Sequence, residues 1–379
     1  MIQKTKLLEG WRISTLGDIF DFEKKSKIKA GEGVKKGKYK FFTSSDIQSK
    51  FIDKSTFDGE YLIFSTGGGA GVHYCNEKFS TSTDCFVVKV DKRLLTKFVY
   101  YFLFANIHLL ESGFKGAGLK HISKDYLKKI KIVYPENKET QKHIVSILEK
   151  AESAKNMRKD ADELTKDYLN SVFLEMFGDP LTNPKKWEVK PLKEFGEIKT
   201  GNTPPRSKPE YYGDYIDWIK SDNINTPFTF LTKGEEMLSE EGAKVGRIVP
   251  KKSILVTCIA GSLSCIGNVA IAGREVAFNQ QINAIVPNNS VNEYFLYYLI
   301  LNTKKYIQNS STQSMKGMIS KSVFESIRYI CPPLPPQLKF SKIVEKVEKL
   351  KEYQKESKTQ IDDLFNALMQ KAFKGELVA

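Results

Sequence analysis

Two related α+β domains in tandem, each followed by a long helix, account for the order of motifs along these 379 residues. The first sign is an internal duplication. Trp11 opens WRISTLGDI and Trp187, 176 positions later, opens WEVKPLKEFGEI; Ser45 and Asp46 recur at the same offset as Ser221 and Asp222. Phe79, ahead of CFVVKV, is answered 199 positions on by Phe278, ahead of INAIVP. HISKDYLKKIKIVYP, from His121 to Pro135, matches MISKSVFESIRYICP, from Met318 to Pro332, at an offset of 197. Ordered matches with a drifting offset mean a duplicated domain whose loops diverged, not a solenoid of short repeats. The second sign is a Lys/Glu-rich segment after each copy, and the third is one thickly apolar helical run inside each copy.

The expected layout is a domain at 1–135, a long helix at 136–180, a second domain at 181–332 and a second long helix at 333–379. In the first domain, turns at 31–40 (GEGVKKGKYK) and 65–71 (STGGGAG) punctuate short strands such as YLIF and CFVVKV. The run from Leu94, LLTKFVYYFLFANI, reads as a core helix. The second domain repeats the plan, with KSILVTCIAG and INAIVP as strands and EYFLYYLILNTKKYI, from Glu293, as the core helix.

In the first connecting segment, apolar or small residues fall at Ile144, Ile147, Ala151, Ala154, Ala161, Leu164, Tyr168 and Val172. In the second they fall at Ile343, Val347, Leu350, Ser357, Ile361, Leu364, Leu368 and Ala372, with polar Gln354 inside the series. Alternating three- and four-residue spacing is the seam of a coiled coil. Each helix can run roughly 55–60 Å at 1.5 Å per residue. Neither buries its stripe alone, so antiparallel pairing is expected through Ile147, Ala154, Ala161, Leu164 and Tyr168 on one side and Val347, Leu350, Ile361, Leu364 and Leu368 on the other. Two independent helices packed on their own domains are the alternative.

The net charge of +14 is uneven. Residues 1–135 carry 24 basic and 14 acidic side chains and residues 181–331 carry 19 and 14, while 136–180 (7 and 10) and 332–379 (9 and 7) nearly cancel. A basic excess on both domains favours a polyanion, nucleic acid or an anionic membrane surface; a basic protein without such a partner is the plainer reading. No apolar run is long enough to span a bilayer, and MIQKTKLLEGWR lacks the apolar core of a signal peptide. Cys75, Cys85, Cys258, Cys265 and Cys331 are odd in number and form no CxxC pair, which argues against a disulfide framework and a zinc site. A cytoplasmic protein with reduced thiols is expected.

No catalytic constellation emerges. Thr203-Pro204-Pro205-Arg206 and Cys331-Pro332-Pro333-Leu334 do not fit the Asn/Asp-Pro-Pro-aromatic loop of an amino-methylating enzyme. Gly67, Gly68, Gly69 and Gly71 lack the Lys and Ser/Thr of a phosphate loop. Asp179, Glu188 and Lys190 resemble the acidic pair and lysine of a metal-dependent nuclease only superficially, since such spacing arises readily in a chain with 27% charged residues. His121 and His143 flank a loop-to-helix transition, and His73-Tyr74-Cys75 has no third partner at recognisable spacing.

What remains is recognition. Loops at 39–47, 200–213 and 216–224 mix Lys, Arg, Ser, Thr and Asn with aromatics, residue types that neutralise phosphates and bond base edges. Phe278-Asn279-Gln280-Gln281 is a dense donor and acceptor set, and Thr81-Ser82-Thr83 holds the same place in the first copy. Candidate DNA-facing residues are Lys40, Thr43, Ser44, Ser45, Thr66, Lys115, Lys120 and His121 in the first domain. In the second they are Thr203, Arg206, Lys208, Lys220, Ser221, Asn223, Asn279, Gln280, Gln281, Lys316 and Lys321. Ordinary polar loop chemistry is the competing explanation for any one of them.

Taken together, the paired WxxxxL openings, GNTPPRSKPEYYG, FNQQINAIVP, the two segments ending YP and CPPLPPQ, and the helix ends VFLEMFGDP and LMQKAFKGEL resemble the specificity subunit of type I restriction-modification systems. Their order covers nearly the whole chain. The resemblance implies two target-recognition domains related by a pseudo-twofold internal duplication and separated by two antiparallel coiled-coil helices. Each domain would read one half of a bipartite, asymmetric DNA target. The helices would hold two modification subunits, which methylate adenine at N6, and restriction subunits would add ATP-driven translocation and cleavage. No cofactor is then expected in this chain; S-adenosylmethionine, ATP and Mg belong to the partners. The first copy departs from the pattern, with PENKETQ in place of PPLPPQ and no TPPR element in its opening loop. A basic scaffold that does not read DNA and a metal-dependent nuclease built on Asp179, Glu188 and Lys190 are the rival functions.

Overall fold

The computed structural model describes residues 8–311 and 317–377. The chain forms two compact units: unit 1 takes the chain through Lys159 together with the segment from Lys355 onward, and unit 2 is Asp160–Gln354. The division falls inside both long helices, Lys138–Phe177 and Leu334–Lys374, rather than at their ends. Unit 1 therefore holds the start of the first helix and the end of the second, and unit 2 the reverse. The sequence layout assigned each helix whole to a spacer; each end instead belongs to the core of a unit.

In unit 1 the main sheet is antiparallel and orders its strands Phe20–Phe22, Cys85–Val90, Glu60–Ser65 and Val72–Asn76. A three-stranded sheet sets Tyr39–Phe42 between Lys50–Ile52 (antiparallel) and Phe79–Thr81 (parallel). The thickly apolar run forms the helix Thr96–Ala105, which buries Phe98, Val99, Tyr101, Phe102 and Leu103. In unit 2 the corresponding sheet is Gly196–Thr200, Ile282–Pro287, Ile254–Thr257 and Val269–Ile271, and the helix is Glu293–Asn302. Among the described residues, no helix is long and apolar enough to cross a membrane.

Matched hydrogen bonds fix the duplication. The Leu16 amide donates to the Ile130 carbonyl and the Leu192 amide to that of Ile327, both at 2.8 Å, which keeps the offsets 176 and 197. Gln141 and Gln337 are both fully buried. The Gln141 side chain accepts from the Leu95 amide (2.8 Å) and donates to the carbonyls of Pro135 (2.9 Å) and Arg93 (3.2 Å). Gln337 accepts from Asn292 (2.8 Å) and donates to Pro332 (2.7 Å) and Ser290 (3.2 Å). Each glutamine thus latches the start of a long helix to the start of the core helix. At the far end of the first helix, Gly178 adopts φ +78°, and the Trp187 indole N–H donates to the Phe177 carbonyl at 2.9 Å. That bond gives the second repeated tryptophan its role, satisfying a carbonyl the helix leaves open.

Two repeat matches need correction. The Ser82 amide donates to the Phe42 carbonyl (2.8 Å) and the Asn279 amide to the Ile219 carbonyl (3.0 Å), so Thr81, not Phe79, is the counterpart of Phe278. By the same register Ser44, not Ser45, corresponds to Ser221. Matching by residue type misplaced both, because strand pairing rather than the aromatic ring sets the register.

The helix stripe also differs from the expected seam. Leu164 (68% exposed), Tyr168 (51%), Leu350 (47%) and Leu364 (55%) face solvent. Ile147, Ala154, Ala161 and Ile361 are half-buried, Leu368 packs on the edge of the unit 1 core, and Val347 is buried. The buried stripe on the first helix is Ile144, Leu148 and Ala151 in unit 1, then Leu169, Phe173 and Phe177 in unit 2. Between these, polar side chains occupy the inward positions. In unit 1, Lys155 pairs with Asp362 at 2.9 Å and lies 4.7 Å above the Phe365 ring. In unit 2, the Gln354 amide donates to the Thr165 hydroxyl at 2.9 Å, while Phe173 and Phe177 pack on Phe340 with centroids 5.5 and 5.6 Å apart. Counting only apolar residues skips those positions and selects their outward neighbours.

Candidate nucleic-acid interface

In unit 2, four loops meet where the sheet edges end. The Gly201 amide donates to Ile282 (3.1 Å) and the Asn202 amide to Phe278 (3.0 Å). A Cβ at Gly201 would lie 2.1 Å from the Asn279 carbonyl oxygen, so only glycine lets this loop close on the Asn279 turn. The Asn279 amide group donates to Gln281 Oε1 at 3.0 Å, the Ser221 hydroxyl donates to the same oxygen at 3.4 Å, and the Thr203 hydroxyl donates to Gln280. The Gln281 carbonyl accepts from the Cys258 and Ile259 amides (2.8 and 3.0 Å), and the Cys258 carbonyl from Ile319 (2.9 Å). Thr203, Ser221, Asn279, Gln280 and Gln281 are thus brought together. Asn279 is buried and builds the turn, its Oδ1 accepting the Gln281 amide at 3.1 Å.

Beside them stands a charged cluster. Arg206 makes a fork of two 2.9 Å bonds to Glu236 and lies 4.5 Å from the Tyr212 ring and 5.1 Å from that of Trp218. Lys220 pairs with the same carboxylate and sits 5.2 Å from the Trp218 ring. The hydrogen bonds from Arg206, then those from Lys220, pull the Glu236 carboxyl from 4.5 down to about 2. A depressed carboxyl contributes stability that is full above its unfolded value near 4.5 and is lost as pH falls through the folded value near 2. The pair therefore persists at neutral pH, with two cations held on one anion.

Other candidates have structural duties. Asn223 is buried; its carbonyl oxygen accepts from the Lys220 amide (3.0 Å) and its amide donates to Thr232 (3.1 Å) and Lys233 (2.9 Å). Lys208 donates to the Tyr211 hydroxyl at 3.2 Å, and Lys321, first in the helix Lys321–Ser326, pairs with Glu325 at 3.5 Å. Lys316 lies outside the described residues.

Unit 1 repeats the frame with different side chains. Thr43 and Ser44 leave the strand Tyr39–Phe42, and the Ser44 hydroxyl donates to the Asp84 carbonyl at 2.9 Å. The Thr66 amide also donates to that carbonyl (3.0 Å), and the buried Thr66 offers its own carbonyl to Ile122 (3.2 Å) and His121 Nδ1 (3.1 Å). Lys115 and His121 exchange two backbone bonds of 3.0 Å, which closes a loop carrying Lys120 and an exposed Leu119. The Ser45 carbonyl lies 2.9 Å from His73 Nε2, and burial lowers the pKa of that imidazole. Lys40 pairs with Glu77 at 2.6 Å, away from this group of loops. Asp84 and Gln281 occupy equivalent positions, one a carboxylate and the other an amide.

Sequence reasoning missed Tyr212, Trp218 and Glu236, which position Arg206 and Lys220. The alternation of Trp218 and Lys220 along one strand face was the available signal. Of the nuclease residues, Asp179 accepts the Leu181 amide at 2.8 Å as a turn former, and Lys190 pairs with Glu188 at 3.0 Å. Among the described residues, no group of three or more His, Cys, Asp or Glu is placed to hold a metal ion.

Two mixed α/β units built on one repeated frame define a duplicated α/β protein. The family described as type I restriction modification DNA specificity domain matches residues 8–166 and again 184–363, and the chain belongs to it. It is 33% identical over 178 residues to the type I restriction enzyme MjaIX specificity subunit of Methanocaldococcus jannaschii, a match covering 45% of this chain and 40% of that protein. It is 32% identical over 154 residues to the HindI specificity subunit of Haemophilus influenzae, covering 39% of this chain and 32% of that one. These matches thus span well under two thirds of either relative. The EcoDI specificity subunit of Escherichia coli aligns at 22% identity over 99% of this chain and 90% of its own. The fold resembles the crystal structure of an S subunit from M. genitalium, with a TM-score of 0.62, 17% identity and 98% of each chain covered.

Proposed function

We propose that this chain is the non-catalytic DNA-specificity subunit of a type I restriction-modification complex. Each unit reads one half of a bipartite, asymmetric target on double-stranded DNA. Two modification subunits dock on the long helices and carry S-adenosylmethionine; restriction subunits carry ATP and Mg, and the complex works in the cytoplasm. The observation that carries this reading is the pair of loop clusters on one repeated frame. Frames that share three backbone bonds (Ser82 to Phe42 as Asn279 to Ile219, Thr66 to Asp84 as Cys258 to Gln281, Ile122 to Thr66 as Ile319 to Cys258), with Asp84 in one and Gln281 in the other, suit two readers of different bases, since carboxylates accept from cytosine and amides pair with adenine. The exposed Leu164, Tyr168, Leu350 and Tyr353, all within unit 2, offer an apolar helix surface for a modification subunit.

Exchanging residues 181–331 for the corresponding segment of a relative is expected to change one half of the methylated motif and leave the other intact. Methylome sequencing of a host expressing the chimera with its modification subunit reads the result directly. A swap that alters both halves together overturns the modular reading. Glu236→Gln releases Arg206 and Lys220, so random-duplex affinity at low salt should rise about tenfold, close to one added phosphate contact, with weaker sequence discrimination. Filter binding across a salt series checks this. Unchanged affinity would mean that neither cation reaches DNA.

A further inference from the structure

Outside its loops, unit 1 carries a group of cations over aromatic rings that the proposed reading does not use. Phe22 and Phe86 are half-buried neighbours with centroids 6.2 Å apart, edge to face. The Lys25 ammonium lies 5.8 Å from the Phe86 ring, Lys124 lies 5.0 Å from Phe22 and 5.4 Å from Phe86, and Lys128 lies 5.9 Å from Phe22. Among the described residues, no carboxylate pairs with any of the three. Ring faces attract the ammonium groups and hold like charges side by side.

The duplication supplies its own comparison. Phe22 pairs with Val88 as Ile198 pairs with Ile285, so Ile198 replaces Phe22 in unit 2. Asn283, buried and bonded to the Thr200 hydroxyl at 2.7 Å, replaces Phe86. Lys321, the counterpart of Lys124, is paired with Glu325, which itself stands where unit 1 has Lys128. The shared fold does not require the basic, aromatic group. It adjoins the candidate loops, since Phe86 follows Cys85, the strand partner of Ser65, and Lys124 stands three residues after His121.

We propose that Lys25, Lys124 and Lys128, carried on Phe22 and Phe86, form a phosphodiester-binding strip that grips the DNA backbone beside the half-site read by unit 1. The inference rests on the DNA-specificity reading. The strip neutralises phosphates and carries no base information, and the equivalent positions of unit 2 hold Ile198, Asn283 and a Lys321 paired with Glu325. The test uses the full chain assembled with its modification subunits, and a triple variant Lys25→Gln, Lys124→Gln, Lys128→Gln. Each lost phosphate contact removes about 0.9 from the slope of log affinity against log salt, so the loss of all three should lower the slope by about 2.7, with the mismatch penalties inside both half-sites unchanged. The triple Lys→Arg variant should keep the wild-type slope. Trimming the duplex outside the unit 1 half-site should weaken the wild type and leave the glutamine variant unaffected; trimming beyond the other half-site should affect both alike. A folded glutamine variant with the wild-type slope overturns the strip, as does a changed base preference, which would make these residues readers. If the wild-type complex prefers no duplex sequence, the specificity reading itself fails.

Discussion

Phe173→Ala is expected to destabilise unit 2 by about 3–5 kcal/mol, the usual cost of emptying a fully buried phenylalanine site. The Phe173 ring is fully buried and packs on Phe177, Phe295, Phe340 and Tyr298, with centroids 5.0, 5.9, 5.5 and 6.4 Å away. Those partners come from both long helices and from the core helix, so one truncation loosens three elements. On the same helix, Leu164→Asp should cost only about half a kcal/mol, because Leu164 is exposed. The apolar spacing alone ranks Leu164 as a seam residue and so reverses this order. Urea unfolding of the full chain separates the outcomes, and equal losses from the two changes would show that the buried stripe is misplaced.

Gln337→Leu should cost on the order of 3 kcal/mol despite adding apolar surface. The change strands the Asn292 amide and the Pro332 carbonyl, whose bonds to Gln337 are buried, and each buried group left without a partner costs about 1–3 kcal/mol. Gln141→Leu should have a similar effect in unit 1 through Leu95, Pro135 and Arg93. Hydrogen exchange gives the local readout. The Asn292 amide should lose protection in the first variant and the Leu95 amide in the second. Undiminished protection would mean that the latch contributes nothing to holding the helix starts.

The duplication, the core helices and the two long helices were legible because each rests on local pattern. WRISTL, HISKDYL and MISKSVF keep their residues, and LLTKFVYYFLF is too apolar to lie anywhere but inside. Strand register was less legible. Phe79 and Phe278 look alike, yet they sit two places apart on the repeated frame, and only the bonds to Phe42 and Ile219 reveal it. The helix seam misled for another reason: Lys155 and Thr165 lie inward, where an apolar count discards them. At the candidate interface, residue type did single out Thr203, Ser221 and Gln281. It could not separate Asn223 and Asn279, which build turns, from Gln281, because burial depends on contacts made across the whole unit. Glu236 was invisible for the same reason, being far in sequence from the Arg206 it holds.

Because the division falls within both long helices, the two units finish at different times as the chain is made. Unit 2 is one uninterrupted stretch, while unit 1 lacks its last helix turns until the segment from Lys355 onward has been made. Until then Phe98 and Phe102 have no Phe373 to pack on, although their rings end 5.5 and 5.4 Å from it. The half synthesised first is thus the half that folds last, and it waits with an apolar face uncovered while its younger copy matures. A nascent chain stalled just short of Lys355 would therefore present a complete stretch for unit 2 and an unfinished unit 1.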